Sequence, residues 1–309
     1  MNKKITLLIA FSLTFFFSEA QRVASSPEYI RTLTSQWEGE RFEDGRPKVP
    51  DLYLERLENA TLEQIWGYLG RRGYNNQVEL DWVILKPGET MVGRVVTTQF
   101  MPSRPDLDSI VKAQGKAEGH SQHGGINIWP IDMLTKGDIY VADGYGKIKD
   151  GTLIGSSLGN AIHGKTGKGV IFNGSVRDMQ ELKATEGFNA WVKGHDPSYI
   201  KSMTPTSINA PIRIGEVTVF PGDVAFANDY GVVFIPAHLV EGLVTASELT
   251  GLRDEFERLL LQQGNYPSGE VHGDWSDEIK NEFRAWVADY PRELAVTNDQ
   301  IEAYLEKQD

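Results

Sequence analysis

Two apolar runs near the middle of the chain set the fold class. Gly137–Ala142 (GDIYVA) and Gly169–Phe172 (GVIF) are short and rich in β-branched or aromatic residues, which is typical of strands. Between them, Asn160–Lys165 is predicted to form a short helix. A strand, a loop, a helix and a second strand in this order predict a βαβ unit with parallel strands. The chain is therefore expected to be an α/β protein.

Further elements are predicted on both sides of this unit. Thr61–Leu69 has a capping box, in which Thr61 pairs with Gln64, ahead of an apolar face that indicates a helix. Val78–Phe100 alternates as strands do around a turn at Pro87-Gly88, and residues 102–127 predict a long surface loop. The elements predicted downstream are a helix near Asp178–Thr185, strands at Gly187–Val192, Ile212–Val219 and Gly231–Ile235, and helices at Leu239–Leu261, Ser276–Ala288 and Asn298–Lys307, with a break at Gly264–Gly273.

The first 20 residues have the pattern of a secretory signal peptide. Two lysines precede the apolar run Ile5–Phe17, and Ser18-Glu19-Ala20 places small residues where a signal peptidase cleaves. The run is shorter than the roughly 20 apolar residues that a spanning helix needs. We therefore expect an exported protein, periplasmic or secreted, without stable membrane insertion; an uncleaved anchor is the alternative.

Composition narrows the class of partner. The formal net charge of −12 disfavours nucleic acid, whose phosphates require a basic surface. A hydrophobic content of 40% supports a substantial core, and a chain without cysteine must fold without disulfides. An acidic chain can still bind a small anion at a local positive site.

The segment Gly155–Asn160 (GSSLGN) is the first candidate site. Small residues between a strand and a helix leave backbone N–H groups open at the helix N-terminus, where the helix dipole favours an anion. Gly155 and Gly159 permit close approach of the backbone to a ligand. An ordinary glycine-containing turn would have the same composition.

The second candidate is Asn173–Asp178 (NGSVRD), directly after a predicted buried strand. Arg177 offers a planar fork that can bind a carboxylate through two hydrogen bonds. Asp178 is a hard oxygen ligand suited to Mg²⁺ or Mn²⁺. The alternative is that Asp178 and Glu181 cap a helix and Arg177 is a surface charge.

An ordered set of motifs from Gly137 to Pro236 resembles the RraA-like family, which includes 4-hydroxy-4-methyl-2-oxoglutarate aldolases and ribonuclease-E regulators. The matching segments are Gly137-Asp138, Gly155–Asn160, Gly174–Asp178, Pro221–Asp223 and Asp229–Pro236. The stretch from Gly137 to Pro236 that contains them covers about 100 of the 309 residues. The resemblance implies a swivelling β/β/α sandwich that assembles as a homotrimer or homohexamer with sites between subunits.

The resemblance also implies roles for individual residues. Arg177 would hold a substrate carboxylate and act in catalysis, Asp178 would ligate a divalent metal, Mg or Mn, and the loop would bind substrate oxygens. The substrate-binding set is thus Gly155, Ser156, Ser157, Leu158, Gly159, Asn160 and Arg177. The family's aldolases carry Asp where this chain has Asn160, which cannot act as a base, so the aldolase reaction is in doubt.

The signal-peptide pattern and the resemblance together divide the chain into four parts. They are a signal peptide (1–20), an N-terminal extension with the first strands (21–100), an RraA-like core (101–240) and a C-terminal helical extension (241–309).

A metal and an Arg clamp on a carboxylate suit a lyase, because both stabilise the charge that develops next to that carboxylate. Export favours a dehydratase over an aldolase that releases pyruvate, because an exported enzyme meets polymer fragments. The resemblance implies the substrate class, since exported members of the family resemble dehydratases that act on uronic-acid ends of oligosaccharides, such as those from ulvan. A binding protein for acidic oligosaccharides is a third hypothesis. Residues that could contact sugars are Trp66, Tyr68, Arg71, Arg72 and Tyr74. His163 is the first candidate for the catalytic base; His120, His123, Tyr145 and Lys147 are others.

Overall fold

The computed structural model describes residues 22–292 and 294–306. The predicted signal peptide over residues 1–20 lies outside the described residues. Among the helices that are described, none is both long and apolar enough to cross a membrane.

The described chain alternates helices with short strands. The helices are α1 (Pro27–Leu33), α2 (Asp51–Leu57), α3 (Leu62–Gly70), α4 (Pro105–Ala117), α5 (Trp129–Asp132), α6 (Ser156–Thr166), α7 (Met179–Ala184), α8 (Val240–Gln263), α9 (Ser268–His272), α10 (Asp277–Ala288) and α11 (Asn298–Glu306). The strands are β1 (Val78–Glu79), β2 (Val83–Ile84), β3 (Met91–Pro102), β4 (Asp138–Asp143), β5 (Thr152–Ile154), β6 (Val170–Val176), β7 (Ala190–His195), β8 (Met203–Ile208), β9 (Ile212–Ile214), β10 (Val217–Val219), β11 (Val224–Asn228) and β12 (Gly231–Ile235). Single 3₁₀ turns cover Ile126–Ile128 and Ala237–Leu239.

One mixed sheet forms the centre of the fold. Its strand order is β1-β12-β11-β3-β4-β6-β7-β2, with β5 beside β6 and β8 beside β3. Strands β3, β4, β6 and β7 are parallel, β11 pairs antiparallel with β3, and β12 pairs antiparallel with β11. The predicted βαβ unit is confirmed, because β4 and β6 pair in parallel and α6 connects them.

Both faces of the sheet are buried. Along β4, Ile139 and Val141 face the small β9–β10 hairpin, whereas Tyr140 and Ala142 face the helices α6 and α7. The period-2 alternation of side chains explains this division. The result is a small β layer, a large β layer and a helical layer, which confirms the predicted β/β/α sandwich.

The N-terminal segment is tied to the core by a buried ion pair. Arg46 and Asp138 are both fully buried, and Arg46 Nη1 lies 2.9 Å from Asp138 Oδ1. Asp138 begins β4, and β3 pairs with both β4 and β11. The main sheet therefore includes residues on both sides of residue 100, which is the predicted boundary between the N-terminal extension and the core.

The long helix α8 connects the sheet to the C-terminal helices. Its first part packs Leu243 and Val244 against the cluster that covers β11 and β12. Its second part packs Phe256 against Trp275 and Phe283, with ring centroids 5.5 and 5.3 Å away. The C-terminal helices thus form a second apolar cluster on the end of α8.

One prediction of local structure was wrong, and two were confirmed. Residues 102–127 contain α4 rather than only a loop; Pro105 occupies its first turn with Asp106 and Asp108, which suit a helix N-terminus. The predicted break at Gly264–Gly273 separates α8 from α10, and the short helix α9 lies within it. The capping box at Thr61 and Gln64 is present in both directions.

Candidate active site

Two loops meet where neighbouring parallel strands end. Ile154 at the end of β5 pairs with Val176 at the end of β6, and the Arg177 N–H donates to the Ile154 carbonyl at 3.1 Å. Gly155 and Ser156 follow the first strand, and Arg177 and Asp178 follow the second. Parallel pairing therefore brings the two predicted motifs side by side.

The Asp178 carboxylate is fixed through one oxygen only. Its Oδ2 accepts from the Ser156 N–H at 3.0 Å and from Ser156 Oγ at 3.4 Å. Ser156 is the first residue of α6, where the helix dipole favours a negative charge. Among the described residues, Asp178 Oδ1 has no hydrogen-bond donor. Asp178 is itself in the left-handed conformation (φ 59°), which costs about 1–3 kcal/mol and marks a position that the surrounding contacts enforce.

Arg177 leaves its guanidinium fork available. Its Nε lies 3.5 Å from Asp178 Oδ2, and both side chains are 36% exposed. No acceptor within the described chain takes the two terminal amino groups of Arg177. The guanidinium can therefore bind a ligand carboxylate in bidentate fashion while Nε stays beside Asp178.

Gly155 is required by the closeness of these side chains. A Cβ at this position would lie 2.3 Å from Asp178 Oδ2 and 2.8 Å from Arg177 Nε. Neither distance is compatible with a real carbon atom. The glycine thus creates the space in which the carboxylate reaches the start of α6.

The helix N-terminus still offers two open N–H groups. The Gly159 N–H donates to the Gly155 carbonyl, and the Ser156 N–H is taken by Asp178. The N–H groups of Ser157 and Leu158 donate to no acceptor in the described part of the chain, and Ser157 is exposed. An anion placed here would meet two backbone donors and the dipole of α6.

Comparisons with known proteins cover the part of the chain that contains this site. The sequence profile of the family described as "RraA-like: Aldolase/RraA" matches residues 59–234, which is more than half of the chain. This protein belongs to the RraA-like family. The match includes Gly155, Ser156, Arg177 and Asp178.

Relatives with curated names cover different shares of the RraA-like chain. Protein DlpA of Legionella pneumophila is 25% identical over 221 residues, which is 70% of this chain and 32% of DlpA. A Hahella chejuensis protein named "Putative 4-hydroxy-4-methyl-2-oxoglutarate aldolase" is 28% identical over 35% of this chain and 65% of its own length. A Shewanella oneidensis protein of the same name is 29% identical over 31% of this chain and 57% of its own length. The chain thus spans less than two thirds of each of these relatives.

Solved structures share the RraA-like fold. A Pseudomonas syringae protein described as uncharacterized has a TM-score of 0.58 at 17% identity, covering 74% of this chain and 95% of its own. Streptomyces coelicolor RraAS2, described as an unusual member of the RNase ES inhibitor RraA family, has a TM-score of 0.58 at 23% identity, covering 71% of this chain and 100% of its own. At these identities the likeness concerns the fold alone.

The remaining predicted loop residues of the RraA-like site have mainly structural contacts. Gly159 is buried, and a Cβ there would lie 2.3 Å from Leu182 Cδ2, so this glycine lets α6 pack closely on α7. The Asn160 amide donates to the Ser156 carbonyl at 2.8 Å and accepts from Thr185 Oγ1 at 3.2 Å. Both ends of the Asn160 amide are therefore engaged.

The structure does not bring His163 to this group. His163 lies seven residues after Ser156, about 10 Å further along the α6 axis. Its ring packs on Gly187, and Nδ1 lies 3.4 Å from the Lys168 carbonyl. His163 lies about one helical turn after Asn160, and this turn is further from Asp178. Sharing a helix face with Asn160 therefore does not bring His163 to the site.

The other candidate bases have contacts of their own. His120 stacks on Trp129 with ring centroids 5.0 Å apart, and its Nε2 lies 3.5 Å from Glu118. Lys147 donates to the Lys201 carbonyl at 2.7 Å, whereas Tyr145 is 37% exposed on the loop after β4. Within residues 22–292 and 294–306, no three His, Asp or Glu side chains cluster as a ready-made metal site.

The proposed sugar-contacting residues lie elsewhere in the RraA-like fold. Tyr68 is buried in the cluster under α8, with the Arg72 guanidinium 3.5 Å from its ring centroid. Trp66 is exposed on α3. Because α3 packs on α8 and β12, these residues are not beside Asp178 within one subunit.

Sequence reasoning missed a polar network that crosses three adjacent strands, β3, β4 and β6. Asp143 is buried and accepts from Gln99 Nε2 at 2.8 Å, Asn173 Nδ2 at 2.7 Å and the Tyr145 N–H at 2.9 Å. The sequence feature that could have revealed this network is Asp143, an acidic residue directly after the predicted strand Gly137–Ala142. The network fixes the loop between β4 and β5 and thereby the edge of the site.

Proposed function

We propose that this RraA-like protein is a metal-dependent lyase that eliminates water from the uronic-acid ends of oligosaccharides during polysaccharide breakdown. Two relatives are named as aldolases, and aldolases are lyases. The observation that carries the proposal is the pair formed by the available Arg177 guanidinium and the Asp178 carboxylate, whose Oδ1 has no donor among the described residues; the pair lies beside the start of α6. This pairing suits a reaction in which negative charge develops beside a substrate carboxylate.

Arg177 and the α6 N-terminus supply the binding of the anionic group. The terminal amino groups of Arg177 donate to the substrate carboxylate in parallel, which fixes its plane. The N–H groups of Ser157 and Leu158 donate to an oxygen that gains charge when the neighbouring C–H bond breaks. These donors are held in place before the reaction, so little reorganisation is needed as charge develops.

The residues present fit a divalent metal at Asp178. Mg²⁺ and Mn²⁺ prefer hard oxygen ligands, bind one or two carboxylates and keep several waters, and a lone aspartate with an open oxygen and a solvent-exposed side chain meets these needs. When bound, the metal would supply Lewis-acid stabilisation of developing negative charge. Ser156 holds Asp178 Oδ2, which directs Oδ1 outward as the ligand atom.

The site is open on one side, and we propose that a neighbouring subunit closes it. Arg177 and Asp178 are 36% exposed, and Ser157 is exposed, so water reaches the group in a single chain. Excluding water strengthens hydrogen bonds to charged groups. A homotrimer or homohexamer with sites between subunits would provide this closure and the group that accepts the substrate proton.

Asn160 favours dehydration over aldol cleavage. Its amide nitrogen donates to the Ser156 carbonyl, a contact that an aspartate carboxylate could not make. Asn160 therefore stabilises the first turn of α6, and it cannot take a proton or order a basic water as an aspartate would. The proposed export, to the periplasm or the medium, would place the enzyme among polymer fragments.

Mass spectrometry of uronate-ended oligosaccharides incubated with the mature protein tests this function. We expect a metal-dependent loss of one water that chelator stops and that Arg177→Ala or Asp178→Asn abolishes. Matched controls are Arg31→Ala and Asp132→Asn, which change exposed residues outside the site. An unchanged mass for every uronate substrate, with metal present, would refute the dehydratase.

An aldolase is the second candidate, because two relatives are named as 4-hydroxy-4-methyl-2-oxoglutarate aldolases. The released product separates the reactions: an aldolase yields pyruvate, whereas a dehydratase yields an intact unsaturated chain. Binding of acidic oligosaccharides by both wild type and Asp178→Asn, without turnover by either, would instead indicate a binding protein.

A further inference from the structure

A second cavity lies away from the Asp178 site. It has a volume of about 340 Å³ and is formed by four separate segments of the chain. These segments are residues 33–37, 74–77, 218–223 and 236–238. Asp223 precedes β11, and β3 and β4 separate β11 from β6, so roughly 14 Å of sheet lies between the two sites.

Asp223 is the charged group of this cavity. The residue is 5% exposed, and its Oδ2 accepts from the Phe220 N–H at 2.8 Å. No donor to its Oδ1 is found among the described residues, and Asp223 lines the cavity. Burial raises the pKa of Asp223 to about 8. The carboxyl is thus held where ionisation is costly unless a partner arrives.

The described chain supplies no cation to this carboxyl. None of the residues that line the cavity is Lys or Arg. Pro47 packs on Gly222 of the Pro221–Asp223 turn, but the guanidinium of the preceding residue, Arg46, pairs with Asp44 and Asp138. His238 Nε2 lies 3.3 Å from the Tyr74 hydroxyl, and burial lowers the pKa of His238, which favours its neutral form.

Apolar and aromatic residues form part of the remaining wall, and the rest is uncharged and polar: Thr34, Ser35, Gln36, Gln77 and Thr218. Trp37, Phe220 and Leu33 contribute hydrophobic surface, and Tyr74 adds a further ring. Aromatic faces attract cations, and apolar walls strengthen an ion pair by excluding water. A volume of about 340 Å³ is at the lower end of small-molecule sites.

We propose that this cavity binds a small organic cation, an alkyl- or arylammonium, whose charged head pairs with Asp223 Oδ1 and whose apolar part lies against Trp37 and Phe220. The site is independent of the proposed lyase reaction. Binding requires the ionised carboxylate, so below its pKa the Asp223 carboxyl releases one proton to solvent for each cation bound.

This proton release gives the binding a characteristic pH dependence. Affinity falls about tenfold for each pH unit below about 8 and levels off above it. The titratable groups that face the cavity are Asp223, His238 and Tyr74. Protonation of His238 in the acid range would add a positive charge and weaken cation binding further, so both groups change affinity in the same direction.

Isothermal titration calorimetry with 2-phenylethylammonium tests the site on the full protein, with 2-phenylethanol as the neutral match. We expect the ammonium to bind at about pH 8 and about 100-fold more weakly at about pH 6, and the alcohol to bind at neither. Asp223→Asn keeps the acceptor for the Phe220 N–H and removes the charge, so it should lose at least tenfold in affinity. The matched control Asp132→Asn should bind as wild type does.

The wild-type protein alone can overturn the proposal. Equal binding of the alcohol, or an affinity that does not change between about pH 6 and about pH 8, would exclude an ion pair with Asp223. If Asp223→Asn fails to fold, Trp37→Ala tests the aromatic wall, and we expect weaker binding with an unchanged pH slope. Unweakened binding by the Trp37 variant would place the ligand elsewhere.

Discussion

Asp178 and Asp223 each follow a glycine-containing segment and each accept a backbone N–H, yet their surroundings differ in every other respect. Asp178 is half-exposed, lies at the N-terminus of α6 and has Arg177 beside it. Asp223 is buried, and among the described residues it has one amide donor and no cationic partner. Surroundings that favour negative charge make the first a metal-ligand candidate, whereas burial keeps the second protonated until a cation replaces the proton. The same type of side chain is thus proposed to bind a divalent metal at one position and an organic cation at the other.

The largest effect should come from removing the charge at Asp178. Asp178→Asn keeps the size of the side chain but loses a hard anionic ligand, so we expect lyase turnover to fall about 1000-fold. Asp223→Asn should leave turnover within about twofold, because its cavity is separated from the site by two strands. Steady-state rates of product formation measure both. Equal losses in the two variants would contradict the division into two sites.

The second effect concerns the two glycines of the α6 loop. Gly155→Ala puts a carbon 2.3 Å from Asp178 Oδ2, and displacing that carboxylate by about 1 Å should cost about 100-fold in turnover. Gly159→Ala instead overlaps Leu182, so it should lower the free energy of unfolding by about 1–3 kcal/mol. Turnover per folded molecule should change little in the Gly159 variant. Rates and urea unfolding, measured on both proteins, separate the two roles.

How far the sequence could predict this arrangement depends on the sequence distance between partners. Parallel strands, the α6 loop and the pairing of Arg177 with Asp178 follow local patterns within about 25 residues, and these were predictable. Helix α4 was missed because its composition is polar and only Val111 and Gly115 are buried, although Pro105 and the acids after it marked its start. Strand β5 was missed because three residues carry too little pattern.

The Asp223 cavity could not be predicted in this way. Its walls come from four segments spread from residue 33 to residue 238, and no local pattern reports that they meet. The Pro221-Gly222-Asp223 motif indicated a turn, but not that burial would raise the pKa of its aspartate. His163 shows that closeness in sequence is not enough either. It lies only three residues after Asn160, but the rise of the helix places it further from the site.

The third effect is the pH dependence of stability that Asp223 contributes. The pKa of an aspartate is about 3.9 in the unfolded chain and about 8 here, so between these values the folded state holds one more proton. The associated stability is present below about pH 4 and is lost at about 1.4 kcal/mol per pH unit as the pH rises to about 8. Asp223→Asn should lack this loss. Urea unfolding of both proteins at about pH 5.5 and about pH 7.5 measures how much stability each loses between these pH values. The contribution of His238 is common to both proteins and cancels when the two losses are subtracted. An equal loss in the two proteins would contradict the raised pKa.

The smallest effect separates the two aspartates without any substrate. A divalent metal that binds only the folded state at ten times its dissociation constant stabilises a protein by about 1.4 kcal/mol, which for a chain of this size raises the melting temperature by roughly 2 °C. We expect Mg²⁺ or Mn²⁺ to produce this rise in the wild type and in Asp223→Asn, but not in Asp178→Asn. The metal needs an anionic oxygen that is already open to solvent, which Asp178 offers and a protonated, buried Asp223 does not. A shift that survived in Asp178→Asn and disappeared in Asp223→Asn would reverse the assignment of the two sites.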